Sequence, residues 1–445
     1  MLCAACSDCF GTTDLLAVLG EAEERDPFYR EAQTLAAAAA ESIPQARADL
    51  WFPRINFDAG ASEVRQDIDN PSQFGAGGIV SFSTHNYRIN AEQPIYHHDR
   101  YVALKQADKR LQQAQLEVLA AHQDLMVRVA ERYFDVLAAE DNLAFAVAEK
   151  QSLQGQLEQA QQRFDVGLIA ITDVQEAQAG FDRALASEIS ARNAIENAHE
   201  ALREITSSYH PALTPLGGEM PLVSPVPEDI DTWTETALGN NLELSAAWVE
   251  AEIAQTEIKR QFSGHLPTID VVGGHGFNKQ GGRFGATKVD QSDIGVRLQI
   301  PIFEGGRVSS ATREAEHRHQ AALERLEQTR RSVQRRTRQA FLGIQSHISS
   351  VNALNQAVLS SRTALDSTRA GFEVGTRTAI DVIAAERGLS QAKRDYARAR
   401  YDYIVETLRL KQAAGSLSPQ DLGSANAWLT SVNLPEPATA EDQEK

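Results

Sequence analysis

The sequence has no cysteine beyond residue 9, because its three cysteines are Cys3, Cys6 and Cys9. The rest of the chain therefore cannot form disulfide bonds. The spacing of the three resembles part of a metal or iron–sulfur motif, but a fourth ligand is missing. We expect residues 1–12 to be a leader remnant or a misplaced start, since they lack the basic region and the long apolar stretch of a signal peptide.

The sequence also lacks long apolar runs and an excess of basic residues. Its longest purely apolar run covers residues 35–40, whereas a membrane-spanning helix needs about 20 mostly apolar residues. Membrane strands remain compatible with this composition, because they alternate apolar and polar side chains. The formal net charge of −18 disfavours a nucleic-acid-binding protein, which normally carries a basic surface.

Proline is absent from two long stretches, over residues 95–210 and 302–418. Because proline costs about 3 kcal/mol inside a helix, both stretches can hold very long helices. We predict helices over residues 99–162 and 307–370, each roughly 95 Å long at the usual helical rise. Five prolines cluster between the two stretches and indicate a linker over residues 211–228.

The two proline-free stretches look like copies of one another, with five identical residues at an offset of 208 positions. The shared residues are Phe164, Val166, Gly167, Asp173 and Val174 in the first copy and Phe372, Val374, Gly375, Asp381 and Val382 in the second. This spacing predicts a tandem repeat rather than a short solenoid period. The predicted segments are repeat 1 over 13–210, the linker over 211–228, repeat 2 over 229–418, and a C-terminal segment over 419–445 that ends in a disordered acidic tail.

Apolar and small residues recur at alternating steps of three and four after each shared glycine. The series is rich in alanine and is interrupted by one glutamate in each copy, Glu188 and Glu406. A period of about 3.5 residues predicts coiled-coil packing. Each copy is therefore expected to form a long helical hairpin that turns at its Val-Gly pair, since glycine tolerates a positive φ. Asp173 and Asp381 follow the turns and are expected to cap or begin the returning helices.

Four segments alternate apolar and polar residues with a period of two, as β-strands with two different faces do. They begin near Arg54, Tyr87, Thr268 and Ile294. Residues 62–83 and 279–292, rich in Gly, Ser and Asp, are expected to be hairpin loops. A soluble antiparallel sheet also alternates in this way, but Arg88, Glu92 and Arg297 suit a wet lumen better than a packed core. Because the smallest membrane barrels have about eight strands, we expect several subunits to share one barrel.

With these features, the sequence resembles the TolC family of outer-membrane efflux and secretion ducts. The resemblance covers roughly residues 13–422 and involves motifs in both repeats. The motifs are Arg163-Phe-Asp-Val-Gly-Leu-Ile-Ala-Ile-Thr-Asp-Val174, Val374-Gly-Thr-Arg-Thr-Ala-Ile-Asp-Val382, His265-Leu-Pro-Thr-Ile-Asp270 and Pro301-Ile-Phe-Glu-Gly-Gly306. The resemblance implies an α+β membrane protein, a homotrimer in which each subunit gives four strands to a transmembrane β-barrel. A long coiled-coil α-helical barrel continues from it.

The same resemblance implies the function. Such a chain is the outer-membrane exit duct of a tripartite efflux pump or a type I secretion system, in the outer membrane of a Gram-negative bacterium and extending into the periplasm. Its expected partners are a periplasmic adaptor protein, an inner-membrane ABC or RND transporter, and outer-membrane lipid. No nucleophile–base pair, ligand cluster or nucleotide-binding glycine loop stands out in the sequence. We therefore expect no enzyme activity, no cofactor, no metal and no nucleic-acid partner.

The resemblance also implies a periplasmic gate. Asp381 is expected to join an acidic ring at the constriction, where close like charges raise its pKa and favour cations; the alternative is an ordinary residue at a helix start. A second family aspartate is replaced by Ala384, so we expect weaker block by cations. The implied latch residues are Thr172, Asp173, Phe372 and Arg377. Of these, Phe372 stands where the family has tyrosine and lacks its hydroxyl group.

The two Val-Gly turns correspond to the tips at which adaptors dock in the family. The residues concerned are Val166, Gly167, Leu168, Val374, Gly375 and Thr376. Plain hairpin geometry is the simpler interpretation of these residues, and it holds whether or not an adaptor binds there.

Two other classes of protein share some of these features. A soluble coiled-coil scaffold explains the heptads but not the four alternating segments at matching positions of both repeats. A periplasmic adaptor has one helical hairpin and compact β domains, whereas this sequence predicts two hairpins and no such domains. The cargo, small molecule or protein, is not specified by the sequence.

Overall fold

The computed structural model describes residues 12–68, 78–218, 220–282 and 285–429. The three cysteines, nearly all of the predicted leader segment over residues 1–12, and the predicted acidic tail lie outside the described residues. So does the central part of the predicted loop over residues 62–83.

The described chain consists of helices and an antiparallel sheet, and both halves have the same order of elements. The helices are α1 (Leu15–Arg25), α2 (Pro27–Trp51), α3 (His98–Asp165), α4 (Ile171–Thr206), α5 (Ile230–Asn240), α6 (Leu242–Phe262), α7 (Arg307–Glu373), α8 (Ala379–Ala413) and α9 (Pro419–Asn426). The strands are β1 (Arg54–Ile68), β2 (Gly78–Tyr96), β3 (Thr268–Gln280) and β4 (Thr287–Gln299). In each half, a helix leads into two strands, and two long helices follow.

The longest helices, α3 and α7, contain 68 and 67 residues. They include the predicted helices over residues 99–162 and 307–370, which confirms that prediction. Each is about 100 Å long at the usual rise per residue. Asp99 in the first turn of α3 and Arg163 in its last turn match the sign of the helix dipole at each end.

The strands pair in the order β1-β2-β3-β4, and all neighbours are antiparallel. Because β2 and β3 come from different halves of the chain, their pairing joins the two halves. The register places Ile89 opposite both Phe57 and His275, and Val271 opposite Val296. Side chains alternate between the faces of a strand. This register therefore places an apolar band on one face of the sheet, with Lys279, Lys288 and Asp290 beyond the band on that same face, and Arg88, Arg297, Glu92 and Asp293 on the other face.

The strands are longer than the sequence analysis expects, with 15, 19, 13 and 13 residues from β1 to β4. Most described residues of the predicted loops over 62–83 and 279–292 therefore belong to strands, and that prediction is wrong for them. Gly and Asp have low strand propensity. The ladder nevertheless continues, for example between Glu63 and Ser83, because pairing satisfies the backbone N–H and C=O groups whatever the side chains are.

The chain divides into two compact units. For the described residues, the helical unit lies within Met1–Gln33, Glu117–Leu244 and Thr329–Lys445, and the sheet unit lies within Thr34–Leu116 and Ser245–Gln328. Each unit contains segments from both halves of the chain. This spatial division differs from the predicted repeat boundaries, which describe order along the sequence and stay a prediction.

The core of the helical unit lies around two aromatic residues of α3. Tyr133 and Phe134 are almost fully buried, and their rings meet edge to face with centroids 5.6 Å apart. Phe134 also stacks on Tyr401 of α8 at 5.7 Å. The Tyr133 hydroxyl donates to the carbonyl oxygen of Thr214 at 2.8 Å, so the buried phenol has a partner. These contacts join α3 to α8 and to the segment that follows α4.

The returning helix α4 buries much of its predicted heptad series. Its buried members are Ala177, Ala184, Ala191, Leu202 and Ile205. Glu188, which the sequence analysis treats as an interruption, is only 3% exposed. Its carboxylate pairs with Lys150 of α3 at 2.8 Å and with Arg192 at 2.5 Å. The glutamate therefore belongs to the buried seam, and its charge is compensated there.

Candidate functional site

The turn between α3 and α4 forms the first part of the candidate site, which we call tip 1 (residues 163–173). After α3 ends, Gly167 adopts a φ of 74°. The Leu168 N–H then donates to the carbonyl oxygen of Arg163 at 2.8 Å and satisfies one of the free carbonyls at the helix end. Glycine is favoured here because other residues are strained at positive φ.

The turn between α7 and α8, tip 2 (residues 371–381), has the same backbone design. Gly375 adopts a φ of 81°, and the Thr376 N–H donates to the carbonyl oxygen of Gly371 at 2.8 Å. Both long helices therefore turn at the Val-Gly pairs, as the sequence analysis predicts.

The residues predicted to meet an adaptor are all exposed at these tips. Val166, Leu168 and Val374 are 70%, 73% and 75% exposed. Exposure of large aliphatic side chains is unfavourable in water. Each tip therefore presents apolar surface that a partner can cover.

Asp381 is fixed at the start of α8 by a complete capping box. Its carboxylate accepts hydrogen bonds from the Thr378 N–H at 2.9 Å and from the Thr378 hydroxyl at 3.0 Å, and its own N–H donates to that hydroxyl at 3.3 Å. At tip 1, the Asp173 carboxylate accepts from the Ala170 N–H at 3.3 Å, but Ala170 has no hydroxyl to complete the box. Both aspartates therefore begin the returning helices, as predicted.

These bonds also affect the ionisation of Asp381. Hydrogen bonds from the Thr378 backbone and hydroxyl, together with the positive charge of Arg377, hold the pKa of Asp381 below its ordinary value. This lowering of the Asp381 pKa applies to a single chain. The rise in pKa expected for a ring of like charges needs the other chains of the ring, and it stays a prediction.

The implied latch residues are not bonded to one another within one chain. Thr172 and Arg377 are exposed, and in the described residues the Arg377 guanidinium forms no ion pair with Asp173. Phe372 has a different partner, because the Arg163 guanidinium lies 4.9 Å from the centre of its ring. This cation–π contact joins tip 1 to tip 2, and the sequence analysis did not predict it.

A cavity of about 770 Å³ lies between the two tips. Its charged lining residues are Arg163, Asp173, Arg369, Glu373 and Arg377, and its apolar lining residues include Leu168, Ile169, Phe372, Val374 and Val382. The cavity therefore brings Asp173, Phe372 and Arg377 into one surface. Such a surface offers both salt-bridge partners and apolar contact to an approaching segment.

A buried carboxylate above the tips was also missed by the sequence analysis. Glu386 of α8 is only 5% exposed. It accepts a hydrogen bond from the Ser152 hydroxyl of α3 at 2.6 Å and another from the Arg369 guanidinium of α7. The single group thus links three long helices. Its only sequence signal was an acidic residue beside a heptad position, which does not identify the partners.

One face of the sheet carries cross-strand polar contacts. The Arg88 guanidinium of β2 donates to Asp293 of β4 at 2.8 Å and therefore crosses β3. It passes over Gly274, where an added Cβ would lie 2.8 Å from the guanidinium, so glycine makes room for the crossing. On the same face Arg297 lies 3.6 Å from Glu92.

The opposite face of the sheet carries an exposed apolar band. Ile294, Val296 and Leu298 of β4 are 86%, 72% and 58% exposed, and Ile55 and Phe57 of β1 are 67% and 65% exposed. Contiguous apolar surface of this kind marks a site of interaction with protein or lipid.

No group of three or more His, Cys, Asp and Glu side chains among the described residues is arranged to hold a metal ion. None of the described helices combines the length and the hydropathy needed to cross a bilayer. The His97 ring lies 2.8 Å from Asp270, which gives this histidine a carboxylate partner.

The chain is similar to known proteins along almost its whole length. A family model described as outer membrane efflux protein matches residues 18–208 and 233–416. Outer membrane protein TolC of Vibrio cholerae is 38% identical over 421 residues, which cover 94% of this chain and 94% of that protein. Alkaline protease secretion protein AprF of Pseudomonas aeruginosa is 26% identical over 416 residues, which cover 93% of this chain and 86% of that protein.

The fold is also similar to that of solved structures. The crystal structure of the Campylobacter jejuni CmeC outer membrane channel matches with a TM-score of 0.79 and covers 94% of this chain and 90% of that one. Because the sequence identity is 15%, this likeness concerns the fold alone.

Proposed function

The chain belongs to the outer membrane efflux protein family, and from this premise we propose how its parts carry cargo out of the cell. It is an outer-membrane protein with a periplasmic extension and an exit duct for efflux and type I secretion, as the sequence analysis predicts. It transports and does not catalyse. The observation that carries the proposal is the sheet, with its ion-paired face and its exposed apolar face.

The duct is a homotrimer. β1 and β4 are the outer strands of the sheet in one chain, so each has a row of backbone groups without a strand partner. Such edges are not tolerated in lipid. Pairing β4 of one chain with β1 of the next satisfies them, and three chains close a transmembrane β-barrel to which each contributes four strands.

The two faces of the sheet then have distinct environments. The face with Arg88, Asp293, Glu92 and Arg297 lines the wet lumen, where charged groups keep their hydration. The face with Ile294 and the other exposed apolar side chains contacts outer-membrane lipid. The long helices continue this barrel as a coiled-coil α-helical barrel in the periplasm.

The tips form the periplasmic gate. Asp381 of each chain contributes to an acidic ring around the axis, which attracts cations. Ala384 leaves this ring without a second ring of carboxylates, so multivalent cations block the duct more weakly than in a homologue with two rings. The capping box supports this role, because it fixes the position of the Asp381 carboxylate.

The latch lies between neighbouring chains. Arg377 is exposed and has no ion pair with Asp173 of its own chain, so it is available to Thr172 and Asp173 of the next chain. Exposed pairs contribute at most about 1 kcal/mol each, which suits a gate that must open. Phe372 lacks a hydroxyl for the latch and instead packs under Arg163.

The exposed tips and the cavity between them receive a periplasmic adaptor. The docking residues are Val166, Gly167, Leu168, Val374, Gly375 and Thr376. The adaptor connects the duct to an inner-membrane ABC or RND transporter, which supplies the energy. Along the sequence, repeat 1 over residues 13–210 and repeat 2 over residues 229–418 each supply one hairpin of this assembly.

Purification and conductance measurements test the proposal. We expect the detergent-solubilised protein to have the mass of a trimer and to form channels in planar bilayers with low resting conductance. Arg377→Ala is expected to raise that conductance, because it removes the latch. Arg362→Ala is the matched control, since Arg362 is also an exposed arginine of the long helical hairpins but lies outside tip 2.

The outcomes separate the parts of the proposal. A monomer without channel activity contradicts the shared barrel. A trimer whose resting conductance does not change in Arg377→Ala contradicts the latch alone. Block by a multivalent cation as tight as in a two-ring homologue contradicts the single acidic ring.

A further inference from the structure

Two lysines lie directly opposite each other on neighbouring strands of the sheet. The register of β3 and β4 pairs Lys279 with Lys288. Directly opposite side chains in an antiparallel pair have Cβ atoms about 4.5–5.5 Å apart. His85 of β2 lies opposite Lys279 on its other side, so three basic side chains form one row across the sheet.

This row has no compensating carboxylate among the described residues. Neither lysine forms an ion pair there, and the nearby Asp290 lies 3.6 Å from the His275 ring instead. Like charges placed opposite each other destabilise a sheet. An anion bound between the two lysines removes that cost, so the row favours an anionic ligand.

The row also has a defined place on the sheet. It follows Tyr87 and Phe277, a directly paired couple whose rings stack with centroids 5.5 Å apart. All of these residues lie on the face that carries Ile89 and Ile294. Aromatic side chains at the border of an apolar band are typical of a membrane interface. On β3, Lys279 is the next residue on this face after Phe277. On β4, Ser292 and Asp290 lie between Ile294 and Lys288, so the lysine row lies beyond the apolar band at its hairpin end.

The connections of the strands indicate which side of the membrane the lysine row faces. The ends of β3 and β4 that carry Lys279 and Lys288 face the β3–β4 hairpin, while their other ends lead to α6 and α7. If the long helices lie in the periplasm, as the proposed function requires, the lysine row meets the outer leaflet. That leaflet is rich in a phosphorylated glycolipid, whose headgroups carry the phosphates.

We propose that Lys279 and Lys288 bind the phosphate groups of lipid A, the phosphorylated glycolipid of the outer leaflet, with His85 as an additional hydrogen-bond donor. The proposal rests on the proposed membrane placement of the sheet. Lysine near a membrane surface attracts anionic headgroups, and the facing pair holds two ammonium groups where one phosphate can contact both. The apolar band beside the row receives the acyl chains of the same lipid.

The test uses the purified full-length protein in nanodiscs of a neutral phospholipid that contain bisphosphorylated lipid A. Retention of lipid A on the protein is measured by native mass spectrometry, with lipid A stripped of its phosphates as the comparison ligand. We expect the double variant Lys279→Gln/Lys288→Gln to bind bisphosphorylated lipid A about 30-fold more weakly, from the loss of two lysine–headgroup contacts. The charge-matched control is Lys105→Gln/Lys259→Gln, which changes two exposed helical lysines of the same unit.

Each result has one meaning. Selective retention of bisphosphorylated lipid A that is lost in the Lys279/Lys288 variant and kept in the control supports the site. Equal retention by the variant and the original protein overturns it, as does complete displacement by inorganic phosphate at the same concentration, which indicates a free-phosphate site. Channel conductance is recorded in parallel, so a conducting trimer with unchanged lipid binding refutes this inference without refuting the duct.

Discussion

The core of the helical unit and the tips of its hairpins are stabilised very differently. Around Tyr133 and Phe134, side chains from α1, α3, α4, α7, α8 and α9 form one contiguous buried cluster. Near the tips, the described residues form a buried apolar cluster of Leu153, Ala184 and Ile383. There, polar contacts such as that of Glu386 with Ser152 and Arg369 supply additional links between helices.

This difference indicates which part of the helical unit opens most easily. Local opening costs least where few apolar side chains are buried. The tips are therefore the low-cost end of long helices whose middle is fixed by the large core. Such a distribution suits the proposed gate, because local opening at the tips would leave the packing around Phe134 intact.

The largest expected effect is that of removing an aromatic ring from the core. Phe134 is 1% exposed and contacts both Tyr133 and Tyr401. We expect Phe134→Ala to destabilise the protein by about 3–5 kcal/mol, because it leaves a large cavity. Thermal unfolding followed by circular dichroism measures this loss. A loss no larger than that of Ile383→Ala, in the small cluster near the tips, would remove the contrast between the two regions.

The pH dependence of stability tests the contribution of one half-buried carboxyl group, Glu140 of α3. Burial, with a smaller contribution from the charge of Asp141, raises the pKa of Glu140 from 4.5 to about 7. Because the folded pKa is raised, the stability that this group contributes is fully present below pH 4.5 and is lost as the pH rises through 7. We expect Glu140→Gln to be more stable than the original protein by about 2 kcal/mol above pH 7. The two proteins should unfold alike in acid, and a constant difference at all pH values would contradict the assignment.

Near the tips, a substitution in the small apolar cluster is expected to change the free energy of local opening rather than that of global unfolding. Ile383 is 7% exposed and belongs to that cluster. We expect Ile383→Ala to lower the free energy of local opening by about 2 kcal/mol. Hydrogen exchange measured by mass spectrometry should become faster in peptides of both tips and stay unchanged around Phe134. Faster exchange in the core as well would show that the two regions unfold together.

The smallest expected effect compares the two tips with each other. Thr378→Ala removes the hydroxyl that completes the capping box of tip 2, and we expect a local loss of about 1 kcal/mol. Ala170→Thr supplies the missing hydroxyl at tip 1. It should raise the free energy of local opening there by a similar amount and so slow hydrogen exchange. The reciprocal pair serves as its own control. Equal responses in the same direction at both tips would contradict the capping argument.

The long helices could be predicted from sequence because their signals are local. The absence of proline over residues 95–210 and 302–418 and the Val-Gly pairs define where each hairpin starts and turns. The loop predictions failed because strand length in a hairpin depends on the opposite strand. For residues 62–68, the partner ladder along β2 decides the outcome, and composition alone does not reveal it.

Contacts of charged side chains in the helical hairpins were also not predictable from local sequence, because their partners lie on other segments. Glu188 reads as a break in the heptad, yet Lys150 on another helix makes it compatible with burial. The contact between Arg163 and Phe372 is invisible for the same reason, since the two residues come from different copies. A local pattern identifies the positions on a helix, whereas the partners at those positions come from the packing of distant segments.

The ion pair between Arg88 and Asp293, which crosses over Gly274, affects the electrostatic potential near this face of the sheet. If this face lines the lumen, as we propose, the cations Arg88 and Arg297 lie beside the anions Asp293 and Glu92, and a permeating solute meets short-range dipoles instead of a potential of one sign. That stretch of the wall is close to electroneutral, and it discriminates by width and wetting more than by valence. Any preference of the duct for cations over anions must then originate elsewhere along the permeation path.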